Sequence, residues 1–399
     1  MSRLTLLYTY TRKKFLNKKK IEPVSFIYLN KRKEMTQLAF TRYLYIKDEV
    51  ELSLVTSLLT HNKRCLFWAF ELYYSGYKTE LFALLWKIYY DFFASLHPNF
   101  WEYMVKQEKE PDEAKAIACI VQNLHIRECN LDGFLVRQNL SKNPLDIPKE
   151  PEILEKWMQE KEIDLISNYI MKWCPLNNLQ TVLNRVTTFF RYTPVKVETA
   201  KKKWAKAIHC SSIDPRTHLL SIILAKLTKP IKQTRLFIEV LQDEIDLYKT
   251  VEINPEHDKA RKILPRVLTF SIDEDDYLSL FALARNSIGV PLTNIYYYHW
   301  EYYASRSPVW AERLAKYKGS PIDETQLVVF QEDASGSDDN QEAFYCRFGY
   351  EPDEQSKEVQ RKNIQYIQQL RSWDQVYLLF KGESIYCPDS LDSWSSLLY

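Results

Sequence analysis

The stretch LFWAFELYYSGYKTELFALLWKIYYDFF, residues 66–93, decides the fold. Apolar side chains recur at helical spacing before Gly76 and again after it, where they cover two faces. Glycine at that point predicts the left-handed end of one helix, and Thr79 is placed to cap the next. A helix that is apolar on two faces is packed between neighbours, as in stacked helical hairpins. The stretch is therefore interpreted as core, and not as a binding surface or a membrane segment.

Low glycine content and abundant aromatic residues indicate helices joined by short turns. The 399 residues include only 7 Gly, against 27 Tyr, 19 Phe and 10 Trp. An average glycine usage of about 7% would give roughly 28. This scarcity argues against Gly-rich phosphate loops and barrels, and the motifs GxSxG, Walker A and GxGxxG do not occur in the chain.

The pattern predicts a mainly α fold, with stacked helical hairpins in two regions and a small mixed α/β C-terminal part. The predicted segments are a basic, flexible N-terminal arm over residues 1–34, a helical domain over 35–140, a linker over 141–151, a second helical domain over 152–318 and a mixed α/β region over 319–399. The linker is predicted from the three prolines and the lost periodicity of SKNPLDIPKEP.

Two helices and one hairpin in the later regions can be tested directly. Helices are predicted over residues 153–174 and over residues 234–250. Near the C-terminus, TQLVVF and AFYCRFGY are β-like runs, and we expect them to pair as a hairpin across the acidic stretch QEDASGSDDNQE.

The charge of the chain is unevenly distributed. Residues 1–35 contain ten basic and two acidic side chains, a net charge of +8, so the rest carries −6 of the total of +2. Such an arm could bind nucleic acid or an anionic membrane through phosphate contacts. A solvated tail, or translation starting at Met35, explains the same charges.

A second basic concentration surrounds Trp204. It resembles a surface that combines phosphate contacts with base stacking, or it is the solvent face of helices whose tryptophan turns inward. The residues predicted to bind nucleic acid, if the chain does so, are Lys13, Lys14, Lys18, Lys19, Lys20, Lys201, Lys202, Lys203, Trp204 and Lys206.

Cysteine usage and hydropathy predict an intracellular protein. Seven cysteines are scattered along the chain, and no apolar secretory signal precedes them, so free thiols in a reducing compartment are expected. Charged residues interrupt even the most apolar stretch, which predicts that there is no transmembrane segment.

No catalytic, cofactor-binding or metal-binding site is predicted. His61 and Cys65 stand one helical turn apart, but no CxxC, HxxxH or HExxH motif accompanies them, so a structural cysteine beside a surface histidine is favoured. His299, in aromatic surroundings, is either an acid or base or a residue hydrogen-bonded within a helix interface. A divergent enzyme could still assemble a site from Asp275, His299 and Glu351.

Four segments together are distinctive: FWAFELYYSGYKTELFALLWKIYYDFFASLHPNFWEYM, NLHIRECNLDGFLVRQ, YHWEYYASRSPVWAERLAKYKG and FGYEPDEQSKEVQ. They resemble an uncharacterised, mostly helical protein family of giant nucleocytoplasmic large DNA viruses. The resemblance spans residues 41–360 and leaves out the basic arm. It implies a viral protein made in an infected cell, located in the host cytoplasm (the viral factory) or in the virion, and it brings no functional residues with it.

The leading functional prediction is a non-enzymatic viral protein that acts as a helical protein–protein interaction or scaffold module. It depends on the missing catalytic motifs and on helices with more apolar faces than a simple bundle needs. The expected partners are other viral or host proteins, and no cofactor is expected. The alternative is a nucleic-acid-associated factor in viral transcription, replication or genome packaging.

Overall fold

The computed structural model of the protein describes residues 38–59, 61–142, 153–191, 202, 214–228, 236–249, 299–332 and 339–348. Helices account for 68% of this part of the chain, and its strands form one two-stranded sheet. The predicted fold class, mainly α with a small mixed C-terminal part, is confirmed. Among these residues, none of the helices has the length and apolar character that crossing a bilayer requires.

The described part of residues 38–142 contains six α-helices. They are α1 (Lys47–Leu59), α2 (Cys65–Tyr74), α3 (Lys78–Ile88), α4 (Phe100–Gln107), α5 (Glu113–His125) and α6 (Asp132–Lys142). A π-helical turn, Tyr89–Phe93, continues α3. Asp112 begins α5, because its side chain accepts a hydrogen bond from the backbone N–H of Lys115 at 3.0 Å.

The junction between α2 and α3 follows the prediction in part. Gly76 has a φ of +90°, and a Cβ atom there would lie 2.5 Å from Cβ of Pro308, so both the backbone and the close packing require glycine. The predicted Thr79 cap is wrong, because α3 begins at Lys78 and no side chain caps it. The interpretation of this stretch as core is confirmed, since most of its side chains are buried.

The π-helical turn is the point where α6 docks. Gly133 of α6 lies against it so closely that any Cβ would collide with the carbonyl oxygen of Tyr90. Beside this contact, Arg137 donates hydrogen bonds of 3.0 and 2.9 Å to the two carboxylate oxygens of Asp91. A small residue and an ion pair thus fix α6 on the turn.

Four further α-helices are described between residues 153 and 228. They are α7 (Ile153–Glu160), α8 (Ile163–Asn168), α9 (Leu179–Phe189) and α10 (Pro215–Leu227). The prediction of one continuous helix over residues 153–174 is wrong. Lys161, with a φ of +59°, separates α7 from α8, and a π-helical turn follows α8 at Tyr169–Trp173. A left-handed residue cannot continue a right-handed helix.

The remaining elements are α11 (Gln242–Lys249), α12 (Trp300–Ala304), α13 (Pro308–Lys316), the strands β1 (Gly319–Ile322) and β2 (Leu327–Phe330), and α14 (Asp339–Phe348). The strands pair antiparallel, with Gly319 opposite Phe330. The sequence TQLVVF does supply a strand, but its predicted partner AFYCRFGY is wrong, because most of it lies in α14. Burial of Phe344 against Trp310 outweighs the β propensity of that run.

Two hydrophobic cores hold these elements. The first brings residues 38–134 together with residues 300–345, and Trp68, Trp300 and Trp310 are fully buried in it. The second lies within residues 136–227 and contains Trp157 and Leu219. The domain limits predicted at 141–151 and at 319 stay predictions.

A buried polar contact joins the two cores. The hydroxyl of Tyr90, in the π-helical turn, lies 3.1 Å from Nδ1 of His218 in α10. The ring of Trp101 meets the same imidazole edge-on, with centroids 5.2 Å apart. Burial lowers the pKa of His218 to about 4 from its ordinary value of 6.5. The imidazole is therefore neutral at physiological pH.

We predict that the free energy of unfolding falls as the pH is lowered from 6.5 through about 4. In that window the unfolded chain protonates at this histidine and the folded chain does not, so protons favour unfolding. Its contribution is complete above pH 6.5 and amounts to at most about 3 kcal/mol. Urea titrations between pH 4 and 7 measure it.

His218→Gln should flatten this pH dependence, whereas Tyr90→Phe, which keeps the buried imidazole, should retain it. His97 has a pKa lowered to about 4, mainly by burial, so it contributes in the same direction and part of the dependence persists in His218→Gln. Equal slopes in the wild type and in His218→Gln would contradict the prediction.

A buried ion pair ties distant parts of the chain together. Arg42 Nε donates to Glu71 Oε2 at 2.9 Å, and their side chains are only 6% and 0% exposed. Glu71 also accepts from the backbone N–H of Tyr43 at 3.2 Å. The guanidinium donates to the carbonyl oxygens of Tyr248 and Lys249 at 2.8 and 3.1 Å, at the end of α11.

We expect Glu71→Gln to lower the free energy of unfolding by about 3–5 kcal/mol, because the charge of Arg42 stays buried without its counter-ion. The matched control is Glu160→Gln, which removes the exposed pair of Lys156 and Glu160, one helical turn apart in α7, and should cost about 0.3–0.5 kcal/mol. Chemical denaturation measures both. A similar loss of unfolding free energy in the two variants would show that the buried pair stabilises the protein no more than an exposed one.

Candidate interaction surface

Residues 236–249 form a segment, here named the docking segment, that lies on α5 and α2. The sequence predicted a helix over residues 234–250, but only α11 agrees, since residues 236–241 are not helical. Phe237, Ile238 and Val240 are aromatic or β-branched, and such residues lose side-chain freedom in a helix. The backbone of Ile238 instead forms hydrogen bonds with Asn123 of α5.

Asn123, buried in α5, recognises the backbone of a single residue of the docking segment. Its Oδ1 accepts a hydrogen bond from the N–H of Ile238 at 2.9 Å, and its Nδ2 donates to the carbonyl oxygen of Ile238 at 2.7 Å. The same Nδ2 lies 2.8 Å from the carbonyl oxygen of Cys119 and 3.1 Å from the hydroxyl of Tyr103. The amide is thus held by its own helix while it holds the segment.

Arg127, four residues after Asn123 and just beyond the end of α5, adds a second backbone contact. Its Nη2 donates to the carbonyl oxygen of Leu236 at 3.1 Å. The guanidinium lies over the rings of Phe100 and Phe237, at 4.5 and 4.7 Å from their centroids. Burial lowers the pKa of Arg127 to about 10, which leaves it charged at neutral pH and able to make cation–π contacts.

The second half of the docking segment is anchored in the first core. Val240 and Ile245 are each 1% exposed. The ring of Tyr248 stacks on Phe70, with centroids 5.2 Å apart and planes 22° apart. Together with the hydrogen bonds from Arg42, these contacts fix the segment at its far end.

Although the docking segment is attached at both ends, several of its large apolar side chains face solvent. Leu236 is 62% exposed, Phe237 51%, Leu241 70% and Leu247 72%. We call these four residues the apolar patch. Burying one side chain of this size stabilises a protein by about 1.5–3 kcal/mol, so the patch leaves a sizeable free energy available for binding.

The docking segment is also acidic. It contains Glu239, Asp243, Glu244 and Asp246 against the single Lys249, a net charge of −3. Asp243 and Glu244 lie in the first turn of α11, where the helix dipole favours carboxylates. Glu239 pairs with Lys115 of α5 at 2.7 Å, which lowers the pKa of the glutamate and raises that of the lysine.

Most of the residues predicted to bind nucleic acid lie outside the described part of the chain. Lys202 alone is described, as an exposed helical residue. The outside residues are Lys13, Lys14, Lys18, Lys19, Lys20, Lys201, Lys203, Trp204 and Lys206. Nucleic-acid binding therefore stays a prediction.

The histidines singled out in the sequence have hydrogen-bond partners on the protein backbone. His61 Nδ1 lies 2.5 Å from the carbonyl oxygen of His125, while Cys65 is buried in α2, where desolvation raises its pKa to about 12. His299 Nδ1 lies 2.9 Å from the carbonyl oxygen of Gln326, in the turn between β1 and β2. The other members of its suggested enzyme site, Asp275 and Glu351, lie outside the described residues.

Within the described ranges, no three His, Cys, Asp or Glu side chains come together as a metal would require. No family model matches the chain, and neither a curated protein nor a solved structure is significantly similar to it.

The residues that build this surface were not recognised in the sequence. Asn123 and Arg127 stand four residues apart in NLHIR, a spacing typical of one helix face, although α5 ends at His125 and Arg127 follows it. The run LFIEVL contains β-branched and aromatic residues of the kind enriched in strands, which could have argued against a helix at residues 236–241. Which helix receives such a run depends on tertiary packing.

Asn123→Leu should release the first half of the docking segment. The backbone N–H of Ile238 then loses its acceptor, and we expect its hydrogen exchange to become at least about tenfold faster, since two hydrogen bonds worth about 1 kcal/mol each are removed. Asn168→Leu is the control, because that buried asparagine of α8 bonds to the carbonyl oxygen of Asp164 at 2.9 Å. Unchanged exchange in Asn123→Leu would contradict the role of the amide.

Proposed function

We propose that the protein is a non-enzymatic interaction module whose docking segment presents the apolar patch to a partner protein. One observation carries this proposal: the segment is held at both ends by buried residues, yet the four side chains of the apolar patch are 51–72% exposed. A fixed surface loses little conformational entropy on binding, which favours affinity. Following the viral resemblance, the partner would be another viral protein or a host protein.

Folding alone does not explain why the exposed positions of the apolar patch hold apolar residues. If the patch served folding alone, a polar residue at Leu241 or Leu247 would do as well, because neither side chain is buried in a core. Surface substitutions of this kind change stability by no more than about 0.5 kcal/mol. A binding role, in contrast, makes the apolar character necessary, since the free energy is gained only when a partner covers it.

The first test places a photo-crosslinking amino acid at Leu241 in the full chain, in the cells that make the protein. The control position is Leu176, which is 60% exposed but lies in the short 3-10 helix Leu176–Asn178, outside the docking segment. We expect a defined protein to be crosslinked from Leu241 and not from Leu176, and mass spectrometry identifies it.

With that partner purified, Leu241→Lys should weaken its affinity by about tenfold or more, the equivalent of about 1.4 kcal/mol. Leu176→Lys should bind like the wild type, and both variants should keep the wild-type melting temperature. If Leu241→Lys binds the partner as tightly as the wild type does, the docking segment is not the interaction surface.

A further inference from the structure

The docking segment has a second backbone edge. Its contacts with Asn123 of α5, and with Arg127 just after α5, use both backbone groups of Ile238 and the carbonyl oxygen of Leu236. Exposure alternates along this stretch, where Phe237, Glu239 and Leu241 are exposed and Val240 is buried, as expected of an extended chain. In an extended chain, successive residues direct their N–H and C=O groups to opposite edges. Phe237 and Glu239 therefore direct theirs away from α5.

Among the described residues, the N–H and C=O of Phe237 and Glu239 have no hydrogen-bond partner. Both residues are exposed, at 51% for Phe237 and 71% for the Glu239 side chain. An exposed strand edge with unpaired backbone groups is a template for pairing with another chain.

We propose that a partner protein adds a β-strand to this open edge, and that the strand alternates apolar and basic residues. This proposal rests on the proposed function and specifies how the partner binds. Backbone hydrogen bonds to Phe237 and Glu239 supply register, and apolar side chains of the strand cover the apolar patch. Basic side chains complement the net charge of −3 of the docking segment.

The chemistry of the edge selects this occupant over two others. A helix already uses its own N–H and C=O groups internally, so it cannot pair with Phe237 and Glu239. A second copy of the docking segment would bring two stretches of charge −3 together, and like charges across a strand pair are destabilising. A basic, extended partner segment satisfies both the backbone and the charge.

The test uses the full chain and a fluorescent nine-residue peptide of alternating valine and lysine. We expect the peptide to bind in a fluorescence-anisotropy titration at physiological salt. It should also slow hydrogen exchange at the amides of Phe237 and Glu239. A valine–glutamate peptide of the same length should bind at least tenfold more weakly.

A matched pair of variants separates strand pairing from plain charge attraction. Glu239→Pro removes the outward N–H, and proline restrains the preceding Ile238 to the extended conformations that its contact with Asn123 needs. Glu239→Gln removes the same charge and keeps the N–H. We expect Glu239→Pro to bind the peptide at least tenfold more weakly than Glu239→Gln, with both variants folded by circular dichroism.

A second probe leaves the protein unchanged. N-methylating every second residue of the valine–lysine peptide, on one edge or on the other, blocks one set of backbone donors at a time. Strand pairing predicts that one of the two methylated peptides loses binding and the other keeps it. Equal binding of both peptides would overturn the proposal, even if Glu239→Pro proved to be unfolded.

The outcomes also separate this proposal from the one on which it rests. Equal affinity of Glu239→Pro and Glu239→Gln, or no binding of the peptide, overturns strand addition. If Leu241→Lys still abolishes binding of the crosslinked partner, the interaction surface itself remains valid. Dimerisation of the full chain that Leu241→Lys disrupts would identify a second copy as the occupant and overturn the basic strand.

Discussion

The ion pair of Arg42 and Glu71 is the constraint on which the placement of the surface depends. Two charges with almost no solvent exposure are stable only when their remaining hydrogen-bonding groups are also used. The second carboxylate oxygen of Glu71 accepts a hydrogen bond from the N–H of Tyr43. Arg42 donates from its two Nη atoms to the last carbonyl oxygens of α11. The end of the docking segment is therefore fixed by the charge balance of the core.

At its other end the docking segment is held through its backbone, which leaves its side chains available for binding. Asn123 binds the N–H and C=O of Ile238, so this attachment does not depend on the side chains of the docking segment. Side chains at Leu236 and Leu241 are then free to meet a partner. Pinning the backbone before binding removes part of the entropy cost that a mobile segment would meet on association.

The sequence predicted the fold class and the core but not the surface. Helical spacing and a single glycine were enough to predict α2, and Gly76 follows its end in the predicted left-handed conformation. The run AFYCRF was assigned wrongly because its aromatic residues favour strands locally, while packing of Phe344 under Trp310 favours a helix. Asn123 escaped notice for a related reason: its role depends on a residue more than a hundred positions later, which local periodicity cannot reveal.

Three buried polar side chains, those of His218, Arg42 and Arg127, play two different roles in the structure. Burial lowers the pKa of His218, so the imidazole remains neutral, and its contact with the Tyr90 hydroxyl joins the two cores. Arg42 and Arg127 are kept as charged donors, and each directs hydrogen bonds at carbonyl oxygens of the docking segment. A guanidinium has five N–H donors in a planar group, which suits a carbonyl-rich chain end better than any neutral side chain does. The two arginines can therefore hold an acidic segment in place at both ends and leave its apolar side chains facing outward.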